Sequence, residues 1–164
     1  MKRFIIFQVL FAMISMSIYS QCKYTKNEKD EFNGNQVVIT KRVNLVRAFM
    51  SGVWVHGRKN NDYKFFEIYY VDFQISSFLK DSKIQFLMED GSVITGAFSE
   101  SGISKYDFNS KLYYITIFVN FPQDQYKTLA KVPVKKIRLY STSGYIEKNI
   151  TDCTKFMEMV KCIL

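Results

Sequence analysis

Residues 63–73 read Tyr63-Lys64-Phe65-Phe66-Glu67-Ile68-Tyr69-Tyr70-Val71-Asp72-Phe73. Aromatic and β-branched side chains fill the run, and such residues favour the pleated backbone of a strand over a helix. Both alternating faces are largely apolar, which predicts a central strand rather than an edge. A second run of the same kind, Lys111 to Phe121, stops at Pro122, which has no N–H to give to a ladder. Between the two, Asp90-Gly91 separates Lys83–Glu89 from Ser92–Phe98. That pair predicts a hairpin closed by a type I′ turn, with positive φ at both central residues.

Upstream of these runs, Val37–Thr40 starts the first strand and Val43–His56 continues as an apolar run. Gly57 to Asp62 reads as a hairpin loop, and Gly102 to Ser110 as a polar loop. Asp124–Ala130 suggests a short helical turn. Val134–Ser141 is a strand with Ile137 and Leu139 facing one way and Lys136, Arg138 and Tyr140 the other, and Ser143-Gly144 turns the chain into Tyr145–Ile150. The polar stretch 21–36 reads as an extended lead-in. The last segment changes period. Thr151 or Asp152 can cap a helix, and Cys153, Phe156, Met157, Val160 and Ile163 form an apolar stripe along it. The expected architecture is mainly β: an antiparallel sandwich or partly open barrel with one C-terminal amphipathic helix over 151–163.

The first twenty residues differ from the rest. Lys2 and Arg3 precede an apolar run from Phe4 to Ile14, and Ser15, Ser17 and Ser20 follow. This is the layout of a secretory signal peptide over 1–20, cleaved to leave Gln21 first, with a single β-rich domain over 21–164. The apolar run is too short for a membrane span, which takes ~20 residues. Acylation of Cys22 is the lesser alternative, because Tyr19-Ser20-Gln21 lacks the Leu-small-small pattern of a lipoprotein signal. The expected location is therefore periplasmic or secreted.

The chain carries a net charge of +8, of which Lys2 and Arg3 supply two. Most cations are spread singly. The tightest group is Lys131, Lys135, Lys136 and Arg138, a possible anion patch that also reads as one solvated strand face. A balance this modest could attract lipopolysaccharide, an anionic glycan or nucleic acid, but its spread fits solvated strand faces better. The expected partner is a protein or glycan of the envelope, and nucleic acid is not expected.

Three cysteines remain after residue 20: Cys22, Cys153 and Cys162. Nine residues of helix separate the last two by ~13.5 Å, beyond the ~7 Å between Cα atoms that a disulfide allows. Cys153 lies in the apolar stripe and Cys162 off it. The reading favours a Cys22–Cys162 bridge with Cys153 as a buried small hydrophobe, and keeps Cys22–Cys153 as the alternative.

Catalytic equipment is sparse. His56 is the sole histidine and reads as a turn residue before Gly57. There is no G-x-S-x-G elbow, no Cys-x-x-Cys pair, no glycine-rich phosphate loop and no calcium-loop spacing. No metal or cofactor is implied. Glu67 is the one acid inside an apolar strand, and a glycan hydrolase would need it beside a second carboxylate.

Ser20-Gln21-Cys22, residues 27–34 (Asn27-Glu28-Lys29-Asp30-Glu31-Phe32-Asn33-Gly34), Lys136–Tyr140, Gly144–Glu147 and the Lys161-Cys162 ending resemble small exported proteins of Bacteroidetes-type bacteria. The resemblance touches both ends of residues 21–164. It implies export and terminal cysteines that matter, and it brings no activity. The expected function is a non-catalytic binding module of the envelope. Its binding surface is expected on exposed Tyr63, Tyr69, Tyr113 and Tyr140 or on the loops 57–62 and 102–110. Alternatives are a glycan hydrolase using Glu67 and a polyanion binder using the four-residue basic group.

Overall fold

A computed structural model describes residues 22–164; the expected signal peptide over 1–20 lies outside the described residues. Thirteen strands follow in chain order. They are β1 (Tyr24–Lys29), β2 (Gln36–Thr40), β3 (Val43–Ala48), β4 (Ser51–Asn60), β5 (Tyr63–Asp72), β6 (Ser77–Phe78) and β7 (Lys83–Met88). Then come β8 (Val93–Phe98), β9 (Gly102–Ile103), β10 (Lys105–Asp107), β11 (Leu112–Asn120), β12 (Val134–Ser141) and β13 (Gly144–Asn149). A 3₁₀ turn at Gln123–Gln125 leads into helix α1 (Tyr126–Leu129), and α2 (Cys153–Lys161) ends the fold.

Eleven of the strands join one antiparallel sheet in the order β1-β2-β4-β5-β11-β8-β7-β12-β13, with β3 also on β4 and β10 also on β11. β6 and β9 form a separate pair. The two end strands, β1 and β13, do not pair with each other, so the sheet is not a closed barrel. It curls nonetheless: after β13, Thr151 donates from its N–H and its hydroxyl to the carbonyl of Leu45 in β3, at 2.8 and 3.0 Å. Among the described residues no helix is long and apolar enough to cross a membrane.

β5 sits between β4 and β11, the central place its composition predicts. Phe66, Ile68 and Tyr70 point into the core, while Phe65, Glu67 and Tyr69 stay half-buried on the outer side. That outer row is wetter than a strand covered on both faces would show. Inside, the Phe66 ring meets Phe121, Tyr126 and Phe156 at 5.7, 5.2 and 5.5 Å, and Phe86 stacks on Phe121 at 5.0 Å. One aromatic cluster thus ties β5, β7, α1 and α2. Truncating such a ring to alanine typically costs about 3–5 kcal/mol.

Asp152 caps α2, its carboxylate accepting the Lys155 N–H at 3.1 Å. The buried stripe is Phe156, Met159, Val160 and Ile163. Met157 and Cys153, expected in that stripe, are only partly buried. The spacing is helical as expected, but the docked face is turned. The disulfide joins Cys22 to Cys162 with Cα atoms 5.5 Å apart, and Cys153 is free.

Several local expectations need correction. Stretch 21–36 contains β1 and a turn, and β1 pairs with β2 although its side chains are mostly exposed. The run Val43–His56 folds back at Phe49-Met50, where Met50 takes φ +58° without any turn-forming residue to announce it. Gly57–Asp62 is not a loop: β4 continues to Asn60, opposite Tyr63, and only Asn61-Asp62 turn. His56 is therefore a mid-strand residue. The segment Gly102–Ser110 supplies β9 and β10. At Asp90-Gly91 the hairpin forms, but positive φ occurs at Gly91 alone, in a three-residue loop closed by the Met88 N–H to the Ser92 carbonyl. Asp90 instead accepts from the Ser92 N–H and hydroxyl at 2.9 and 2.6 Å, which holds the turn from its side chain.

Candidate functional site

The outward side chains of β4, β5 and β11 form three facing rows, because register places Trp54 opposite Tyr69, His56 opposite Glu67, and Thr116 opposite Tyr69 on the other side. Trp54, Tyr69 and Tyr114 lie ring to ring across the strands, at 5.8 and 6.0 Å. Further along, Tyr63, Phe65 and Phe118 continue the chain of rings at 6.1 and 6.0 Å. Gly52 makes room for this row: a Cβ there would stand 2.4 Å from the Trp54 ring. On β3, Asn44 pairs with Trp54, and its Oδ1 is buried with no protein donor.

Charged groups overlie the rings. The Arg42 guanidinium sits 4.9 Å from the Tyr69 ring centre, and Arg58 sits 5.6 Å from that of Phe118. Both are cation–π distances. Arg58 also donates from Nε and Nη2 to one Glu67 oxygen, at 2.6 and 2.5 Å. Arg42 Nε donates to His56 Nε2 at 3.2 Å, and His56 Nδ1 lies 2.8 Å from the Thr40 carbonyl. A carbonyl only accepts, so the network assigns the ring proton to Nδ1 and leaves Nε2 free to accept. Partial burial pushes the Tyr69 hydroxyl above its ordinary pKa, against the opposing pull of Arg42.

Arg42 also lines a cleft of about 460 Å³ between the β2–β3 corner, the N-terminal segment and α2. Lys23, Lys41, Arg42 and Lys155 face it, with Glu158 as the acid in its wall, and Cys162 borders it. The cleft holds an excess of positive charge in a concave, partly apolar setting, which suits an anionic ligand. No single stretch of sequence announces it, because its walls come from residues 23, 40–43 and 155–162.

Of the four tyrosines expected to mark a binding face, the structure brings Tyr63 and Tyr69 together on the outer row. Tyr113 packs against Tyr106 at 5.1 Å at another end of the sheet. Tyr140 donates its hydroxyl to Gln85 at 3.0 Å, on β12. Among the expected basic group, Lys136 and Arg138 both bind Glu147, at 2.8 and 2.6 Å. Only Lys131 and Lys135 of that group stand exposed without a carboxylate partner. Glu67 is engaged by Arg58, and the outward rows of β4, β5 and β11 carry no second acid. Among the described residues no cluster of His, Cys, Asp or Glu is arranged to hold a metal. Comparisons with protein families, with curated proteins and with solved structures find no match.

Proposed function

We propose that the chain is an exported, non-catalytic binding module of the cell envelope that holds an anionic glycan on its outer aromatic row and in the adjoining basic cleft. Arg42 carries the reading, since the same guanidinium covers Tyr69 and lines the cleft. A sugar ring offers apolar C–H faces that stack on aromatic side chains, and its acidic substituents would meet Lys23, Lys41 and Arg42. The Cys22–Cys162 bond favours an oxidising compartment, periplasmic or extracellular, and occupies the sulfur that a lipid anchor would require. The resemblance of both chain ends to exported proteins points the same way. The curled sheet with a helix packed on it fits a sandwich better than a barrel.

The test is binding of the full chain to a lipid-free anionic envelope polysaccharide. Tyr69→Ala and Arg42→Ala should each weaken it roughly tenfold, as loss of an interface anchor does. Raised salt should weaken it further. Unchanged affinity in both variants would overturn the reading. Release of reducing ends that Glu67→Gln abolishes would instead make the protein a hydrolase.

A further inference from the structure

Scattered exposed apolar side chains are ordinary, whereas their concentration in one place marks a contact surface. In this fold several of them gather at one end of the sheet, while others, such as Val93 and Tyr145, stand singly at other turns. The β3–β4 turn carries Phe49 at 92% exposure and Met50 at 43%. The chain leaving β5 carries Phe73 at 58% and Ile75 at 63%, and the β10–β11 turn carries Phe108 at 85%. Register makes these neighbours. Ala48 pairs with Ser51 where β4 begins, Gly52 pairs with Val71 near the end of β5, and Asp72 pairs with Tyr113 where β11 begins. The tips therefore stand side by side, one strand spacing of ~4.8 Å after another.

We propose that this end of the domain rests on an anionic lipid bilayer, with the apolar tips inserted in its interfacial layer. Two observations favour a bilayer over a protein. The apolar groups project from separate hairpin tips instead of lining a groove, so they offer no shaped wall for a partner to fill. The charges around them are those that anionic headgroups attract: Arg47, Lys105 and Lys111 are exposed on the same segments. Of the acids there, Asp107 accepts from the Asn109 N–H and the Ser110 hydroxyl at 3.1 and 2.7 Å and is tied into its own turn. Asp72 is buried, accepting from the Tyr70 hydroxyl and the Phe73 N–H. Aromatic tips with flanking Lys and Arg are the pattern of interfacial anchoring. The opposite end supplies a control. Phe32 is fully exposed there, on the β1–β2 turn, which Asn61 of the β4–β5 turn bonds through Gln36 and Asn35.

The experiment places single tryptophans at the tips of the full chain: Phe49→Trp, Phe108→Trp and, as control, Phe32→Trp. Vesicles of phosphatidylglycerol brominated in the acyl chains, free of any glycan, serve as quencher. The native Trp54, on the outer row, is the reference present in every sample. The added emission at 49 and 108 should be roughly halved and blue-shifted, as for side chains buried 5–10 Å deep. Emission at 32 should not change, and neutral phosphatidylcholine vesicles or high salt should abolish the quenching. Equal or absent quenching at all three positions overturns the proposal and leaves the patch to a protein partner. The glycan-binding reading can fail without affecting this result, because no glycan is present.

Discussion

At the scale of single residues, two glycines set how closely the backbone can pack. A Cβ on Gly96 would lie 2.5 Å from the carbonyl oxygen of Asn120 and 2.8 Å from the Phe121 ring. Neither a backbone carbonyl nor a ring in the core cluster can step aside. Gly96→Ala should therefore cost about 1–3 kcal/mol, as overpacking does, read as a fall in the midpoint of denaturant unfolding. Gly57 is the milder case, with Ile163 and Met159 side chains 3.2 Å from its would-be Cβ, which lets α2 come down onto β4. A glycine inside a strand pattern is itself a readable sign of close approach. What approaches is not readable, because Gly96 meets Phe121, and Gly57 meets Ile163, only through the fold. His56 illustrates the same limit. Next to Gly57 it looks like a turn residue, and it becomes a mid-strand acceptor for Arg42 only once β4 is seen to run to Asn60.

At the scale of elements, Glu147 adds side-chain bonds across the β12–β13 ladder, accepting from Lys136 Nζ and Arg138. Those two hydrogen bonds, the Lys136 bond first, hold its carboxyl below the ordinary value. The sign follows: their contribution is intact above the ordinary glutamate pKa of ~4.3 and is lost as pH falls through the lower folded value. Amide protection on the edge strand β13, taken relative to the intrinsic exchange rate at each pH, should therefore fall in acid. In Glu147→Gln that protection should be lower at neutral pH and lose the acid dependence. The long central strands, the Asp-Gly hairpin and the closing helix were legible because their periodicity or turn chemistry is local. The Phe49-Met50 turn was not, since neither residue prefers φ above zero and only the pairing of β3 with β4 forces it. The aromatic row was half legible. Tyr63 and Tyr69 share one strand's outward parity, but Trp54, Tyr114 and Phe118 join them through register. The cleft beside Cys162 stayed out of reach because it assembles three segments distant in sequence.

At the scale of the whole molecule, the Cys22–Cys162 bond closes a loop with a sequence separation of 140. In the chain-entropy account a loop of that length stabilises by about 5 kcal/mol, an upper figure. Cys22→Ser with Cys162→Ser should lower unfolding stability by several kcal/mol, measured in denaturant with the wild-type chain under oxidising and reducing conditions. The doubly substituted chain should be indifferent to reductant. The bond also decides how the domain answers to force. A pull between the segments on either side of it passes through the sulfur pair and never reaches the ladders. β1, which would otherwise be the first strand to peel, carries no load while the bond holds. Reduction turns the same pull into a zipper that opens the sheet from its edge.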